Sequence, residues 1–348
     1  MNPDPGQKRA QPESVHCYCT LFDKNYLTRG LALHASLQRH RPGSMLVVLC
    51  LDEATRDMLA RMSLDAARLV SLDELEGYDP SLKAVRGARL PAEYYFTCKP
   101  VLMRYMLDTH AHLGRVTYLD SDLYLFSDPA TLFDRYADAS VLLTPHRFPE
   151  SVADRIQYGL FNAGWVSAAS GGEGRRFVEW WRERCLEWCV LNVEGDRFAD
   201  QKYLDRVPDM FRGSVALPDK GVNLGPWSLE SMDVAREGDA VSVTGEKLVF
   251  FHFHGLRRIA GHVYDSGLHE YRVRLTPEIR NFIYAPYLAA LEAAGRRVEG
   301  LDPSLWRSLS GFRMPKKPID RLRYLKKIFQ VVAGGTAMVG PSGMRRAG

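Results

Sequence analysis

The chain has 348 residues, 46% of them hydrophobic and 25% charged, with a formal net charge of +4. This is the composition of an ordinary folded globular protein. The charge is too small to argue for a nucleic-acid partner, and no stretch approaches the ~18 apolar residues that a membrane-spanning helix needs.

The opening MNPDPGQKRAQPES is polar and lacks the apolar core of a secretory signal, so residues 1–14 read as disordered and a cytoplasmic location is expected. Ordered structure is expected from Val15, where VHCYCTLF reads as a strand. Tyr26 to His40 carries helical spacing, and Arg41-Pro42-Gly43 breaks it. Met45 to Leu51 is a continuous apolar run, the mark of a strand buried on both faces. Glu53 to Met62 reads as a helix and Ala67 to Val70 as a strand. Such alternation of strand and helix predicts a mostly parallel α/β sheet with covering helices. Tyr94 to His112 reads as a helix that either starts near Pro100 or kinks there. RVTYLDSDLYLF (115–126) reads as one strand with a polar centre, and Ser140 to His146 and Asn162 to Ala169 as further strands. Glu173 to Val190 is a long helix whose Trp180, Trp181 and Trp188 read as core. Leu248 to Gly255 is a late strand, and Pro277 to Ala294 a helix with Pro286 as a local fault. The cysteines, Cys17, Cys19, Cys50, Cys98, Cys185 and Cys189, form no C-x-x-C pair, so reduced thiols are expected and zinc spacing is missing.

The sharpest chemical signal is Asp120-Ser121-Asp122, preceded by apolar residues. Carboxylates at i and i+2 leave a strand on one face, and ligands of open α/β sheets bind at the carboxyl ends of strands. Two anions held there together need a cation or a proton between them. Mg2+ or Mn2+ suits, since both accept oxygen ligands and bridge phosphates. A solvated turn is the alternative reading. His252-Phe253-His254-Gly255 closes a second apolar strand, with both imidazoles on one face. A core histidine plus a surface one is the alternative there.

Five short motifs follow one another: Asp23-Lys24-Asn25-Tyr26, Asp120-Ser121-Asp122, Phe161-Asn162-Ala163-Gly164, Asp200-Gln201 and His252-Phe253-His254-Gly255. The series, spanning Val15 to Arg258, resembles glycosyltransferase family 8 and related nucleotide-sugar transferases of the GT-A fold. The chain reads as one catalytic domain over 15–268, followed by a helical part over 269–312 and a basic tail over 313–348, and the resemblance implies a GT-A fold for the first. It implies that Asp23, Asn25 and Tyr26 grip the nucleotide, and that Asp120, Asp122 and His252 bind the metal. Asn162, Ala163 and Gly164, together with Gly255 in the turn that follows the histidines, would lie beside the donor sugar and its phosphates. Asp200 and Gln201 would lie near the sugar's reactive carbon. Many family 8 members have an arginine before the metal motif, where this chain has Lys99, and Lys-Pro-Trp after the histidine motif, where it has Leu256-Arg257-Arg258. Lys99 and Arg257 are therefore the candidates for the diphosphate.

The implied activity is transfer of a sugar from a nucleotide-diphosphate donor, with uracil as the expected base, to a glycan or lipid-linked acceptor, with retained configuration. Two rival functions use similar features. A sugar-nucleotide nucleotidyltransferase or phosphohydrolase is one, though the former usually carries a glycine-rich basic loop where this chain has Phe22 to Tyr26. A non-catalytic nucleotide-sugar-binding protein is the other. Asn223 and Trp227, in a turn-rich segment, are acceptor candidates, and Trp227 reads equally as a platform for a sugar ring or as a residue packed under a loop. Arg313 to Val332 holds seven Lys or Arg and a single Asp. It reads either as a helix resting on the anionic inner face of a membrane or as a soluble helix with a basic face.

Overall fold

The computed structural model describes residues 15–110, 112–260 and 262–310, and beyond them 317, 319, 321, 325, 326, 329, 335 and 337–341. The expected disordered start and most of the basic Arg313–Val332 segment lie outside the described residues. Among the described residues no helix is long and apolar enough to cross a membrane.

The first half alternates as its periodicity predicts: β1 (Val15–Phe22), α1 (Leu27–His40), β2 (Leu46–Cys50), α2 (Glu53–Met62) and β3 (Ala67–Ser71). Two short helices, α3 (Leu72–Tyr78) and α4 (Pro80–Val85), lead to the long α5 (Pro91–Thr109). Then come β4 (Leu113–Leu119), β5 (Leu123–Leu125), α6 (Ala130–Arg135), β6 (Val141–Pro145), β7 (Phe161–Ala169), α7 (Gly172–Glu187) and β8 (Ser214–Ala216). The central sheet has seven strands in the order β3-β2-β1-β4-β7-β6-β8. Only β7 runs against the others. Alternation along β1 explains the layers: Cys17, Cys19 and Leu21 face one apolar core with α5 and α7, while Tyr18 and Phe22 face another with α1. All six cysteines are free and buried. Trp181 is fully buried, and Trp180 and Trp188 pack on the same core.

Three expectations change on folding. Helix α5 starts at Pro91, where Glu93 caps it by accepting from the Leu90 N–H at 2.9 Å, and it continues through Pro100. The 115–126 run is two strands. β4 belongs to the main sheet, whereas β5 pairs with β9 (Phe250–His252) in a separate ribbon. The polar triplet between them is a turn, closed by the Leu123 N–H on the Asp120 carbonyl at 3.1 Å. Asp and Ser fit a strand poorly and a turn well, so the carboxylates meet through a chain reversal and not across a pleat. Third, Pro286 is no fault. A π-helical turn over Ile279–Tyr284 precedes it, and Pro286 sits in the first turn of the helix Ala285–Leu301, where its missing N–H costs nothing. That helix buries Ala294 and Val298 in the core that α1 also faces.

Candidate active site

The carboxyl ends of β1, β4 and β6 and the start of the reversed β7 share one edge of the sheet. Everything that leaves the sheet there is therefore gathered over one crevice. Asp120 is tied to β7 by its N–H on the Gly164 carbonyl at 2.7 Å. His252 arrives from the β9 ribbon, and the N–H of Phe253 just after it donates to the Asp122 carbonyl at 3.0 Å.

Asp120, Asp122 and His252 each place a ligand atom within 4.8 Å of the other two. His252 Nε2 lies 3.0 Å from Asp122 Oδ1 and 3.8 Å from Asp120 Oδ2. Burial opposes a charge on His252, yet Asp122 beside it raises the pKa. Burial likewise opposes a charge on Asp122, and His252 holds its pKa below the usual range. Two carboxylates and an imidazole are a fitting donor set for Mn2+ or Mg2+. The floor of the group fits as well. A Cβ on Gly164 would meet Asn162 Oδ1 and His252 Cε1 at 2.6 Å and Asp120 Oδ2 at 2.9 Å. Gly164→Ala is therefore expected to weaken Mn2+ binding by at least about tenfold through displacement of the ligands, as read by electron paramagnetic resonance of the free ion.

Lys99, on α5, is buried between two acids, 3.1 Å from Asp120 Oδ1 and 3.2 Å from Asp200 Oδ2. Burial opposes its charge, but Asp120 and Asp200 together raise its pKa, so it is an ammonium. For Asp200 burial wins and raises the carboxyl pKa against the pull of Lys99. Asp200 follows Ala199, a non-glycine residue at φ +47°, a conformation that persists only where surroundings enforce it. The Ala199 N–H on the Val190 carbonyl and the Trp181 indole on the Asp200 carbonyl do so. Gln201 spends its amide on backbone, with Oε1 accepting from Ala163 N–H at 3.2 Å and Nε2 donating to the Tyr158 carbonyl at 3.0 Å.

Behind His252 stands a file of polar side chains. His252 Nδ1 is 3.2 Å from Asn162 Oδ1, and Asn162 Nδ2 is 3.1 Å from His146 Nε2. His146 Nδ1 lies 3.3 Å from the Leu160 carbonyl. Burial lowers the His146 pKa to about 3, so this ring is neutral. It stacks on Phe148 with centroids 4.6 Å apart.

Two cavities meet at this group. One, of about 400 Å³, is lined by Asp23, Tyr26, Tyr95, Ser121 and Asp122. The other, of about 310 Å³, is lined by Asn162, Ala163, Gly164, Asp200, Gln201 and Trp227. Lys99, Asp120, His252 and His254 border both. Asn25 does not line either; its amide instead donates to Asp23 Oδ2 at 2.9 Å. Arg257 is also absent from both walls and pairs with Glu270 at 3.2 Å. Gly255 sits at φ +76°, where glycine is free, and turns the chain after His254 without lining either space. Asn223 is buried at φ +58° and donates to the Pro145 carbonyl at 3.3 Å, behind the cavity. Trp227 is buried, lies edge-on to His146 and His252 at 5.2 Å and forms part of the cavity wall. His146 carried no functional expectation. Its position at the carboxyl end of β6 was the available signal.

The seven-stranded, mostly parallel sheet flanked by helices, with the Asp-Asp-His group at its carboxyl edge, is a GT-A fold. A solved apo structure of the bifunctional glycosyltransferase WbbM superposes with a TM-score of 0.50 at 14% identity, over 85% of this chain and 53% of that one. The chain belongs to the family of YfnF, an uncharacterized protein of Bacillus subtilis (strain 168), with 33% identity over 252 residues, 70% of this chain and 82% of YfnF. A second uncharacterized protein of that organism, YfnD, is 28% identical over 282 residues, 80% of this chain and 89% of YfnD. No protein-family model matches the chain.

Proposed function

We propose that the protein is a divalent-metal-dependent glycosyltransferase that moves a sugar from a nucleotide-diphosphate donor, with uridine as the nucleoside, to a glycan or lipid-linked acceptor with retained configuration. The observation that carries this reading is the Asp120–Asp122–His252 group at the meeting point of two cavities, with the Lys99–Asp200 pair beside it. One cavity is suited to the nucleotide and the other to the sugar that leaves it.

Asp23, Tyr26 and Tyr95 form the nucleotide wall, where ring faces can stack on a base. A divalent ion held by Asp120, Asp122 and His252 supplies Lewis-acid stabilisation to the departing diphosphate. Lys99 holds Asp120 toward the ion and Asp200 toward the sugar, with its ammonium between the two carboxyl groups. Asp200 then faces the positive charge that develops at the anomeric carbon. Gln201, with both ends of its amide held by backbone, positions the Ala163 strand beside the sugar. The Trp227 indole N–H is buried without a hydrogen-bond partner among the described residues. Its place in the cavity wall supports donation to a substrate oxygen.

The test is a thermal-shift screen of nucleotide sugars with and without Mn2+. Stabilisation by a UDP-sugar, lost on addition of chelator, is the expected result. A hundredfold excess of ligand over its Kd corresponds to about 2.7 kcal/mol of added stability. Turnover should release nucleoside diphosphate. Release of pyrophosphate would indicate a nucleotidyltransferase instead, and tight donor binding without any product a non-catalytic binder.

A further inference from the structure

The file of side chains behind His252 has only one arrangement of its protons. The Gly164 N–H can only donate, and it lies 2.8 Å from Asn162 Oδ1. That atom is therefore the amide oxygen, and the other amide atom is the NH2. His252 Nδ1, 3.2 Å from the same oxygen, must donate to it. At the far end the Leu160 carbonyl can only accept, so His146 carries its proton on Nδ1. His146 Nε2 is then a lone pair that accepts from Asn162 Nδ2 at 3.1 Å. Both ends of the chain are pinned by backbone groups, and the directions agree throughout.

We infer that Asn162 and His146 are positioning residues that hold His252 in the Nδ1–H tautomer, so that Nε2 presents its lone pair to a divalent cation. This rests on the reading of Asp120, Asp122 and His252 as the ligand set. Outer partners of a ligating imidazole fix its tautomer and ring direction, and their loss typically costs about 10–100-fold in metal affinity. Here the outer partner is an amide, which has a donor end and an acceptor end. A flipped Asn162 would offer NH2 to Nδ1 and select the wrong tautomer. Gly164 and His146 oppose that flip from opposite sides, and His146 can do so because its ring stays neutral and is clamped by Phe148 and Trp227. Asn162 thereby acts through His252 in addition to bordering the sugar cavity.

The experiment is Mn2+ titration of the full chain, read by paramagnetic resonance of free Mn2+, for wild type, Asn162→Ala, Asn162→Asp, His146→Phe and His146→Gln. Asn162→Ala should raise the Kd about 10–100-fold and His146→Phe about tenfold. Asn162→Asp, which keeps an acceptor facing Nδ1, and His146→Gln, which keeps one facing Asn162, should stay within about threefold of wild type. Long-range proton–nitrogen spectra of the Zn2+-loaded protein should show His252 as the Nδ1–H tautomer in wild type, and a loss of that fixed state in Asn162→Ala. Wild-type Mn2+ affinity in a cooperatively folded Asn162→Ala overturns the relay alone. Equal weakening by Asn162→Asp and Asn162→Ala also overturns it, since simple disturbance of the fold would then suffice. Absence of Mn2+ binding by the wild type overturns the ligand set, and the relay with it.

Discussion

Asp122→Ala is expected to lower metal-dependent turnover by about a thousandfold or more while leaving cooperative unfolding intact. A divalent ion contributes several kcal/mol of charge stabilisation to a departing phosphate, and each ~1.4 kcal/mol is a factor of ten in rate. Asp122 makes the shortest contact of the group, 3.0 Å to His252, and its backbone carbonyl holds the β9 ribbon independently of the side chain. The variant therefore loses a proposed ligand and keeps the turn. Steady-state kinetics with saturating Mn2+, beside a thermal unfolding curve, separates the two effects; unchanged turnover would remove Asp122 from the reaction.

The same pair sets the pH dependence. Burial disfavours the His252 imidazolium, but Asp122 more than offsets this and raises the pKa. Below that raised pKa a proton occupies Nε2, and a cation must displace it. Mn2+ affinity is thus expected to fall about tenfold per pH unit on the acid side, with one proton released on binding. Above the pKa it levels off. Calorimetry in buffers of different ionisation enthalpy measures that proton directly.

Lys99→Met is the second large effect, and it acts on both stability and rate. The ammonium is 3% exposed and lies within 3.2 Å of two carboxylates. Removing one partner of a buried ion pair typically costs about 3–5 kcal/mol, because the remaining charge is left uncompensated. In this variant Asp120 and Asp200 would face each other with no cation, so Asp200 is expected to take up a proton. That also removes the negative charge proposed to face the anomeric carbon, for a further loss of about 10²–10³ in rate. The double variant Lys99→Met/Asp200→Asn should recover much of the stability and none of the rate. Denaturant unfolding and kinetics on the two variants check this. A stable Lys99→Met enzyme with wild-type turnover would contradict the clamp.

Much of the frame was legible along the chain. Leu46 to Cys50 is apolar at every position and is buried at every position, as a strand between two helical layers must be. Glu53 to Met62 reads as a helix and folds as one, with Asp52 capping it by accepting from the Thr55 N–H at 2.8 Å. The 115–126 run shows where local reading fails. Its two apolar halves look like one strand, and nothing within the segment reveals that the second half pairs with residues 250–252. For Arg257 the local reading is likewise incomplete: its charge and its place after the histidines suggest a phosphate ligand, and only the folded chain shows that it pairs with Glu270.

What the sequence determined by itself is the strand–helix alternation, the placing of Asp120, Asp122 and His252 beside buried strands, and hence the kind of chemistry available. Those features follow from burial period and turn chemistry, which act over a few residues. Tertiary structure alone decided the rest: that Lys99 lies between Asp120 and Asp200, that two cavities share the Asp120–Asp122–His252 group, and that Asn162 and His146 line up behind His252. Asn162 and His252 are 90 residues apart, and which ring nitrogen bears the proton depends on what the other one touches, a fact that exists only after the strands have been brought side by side.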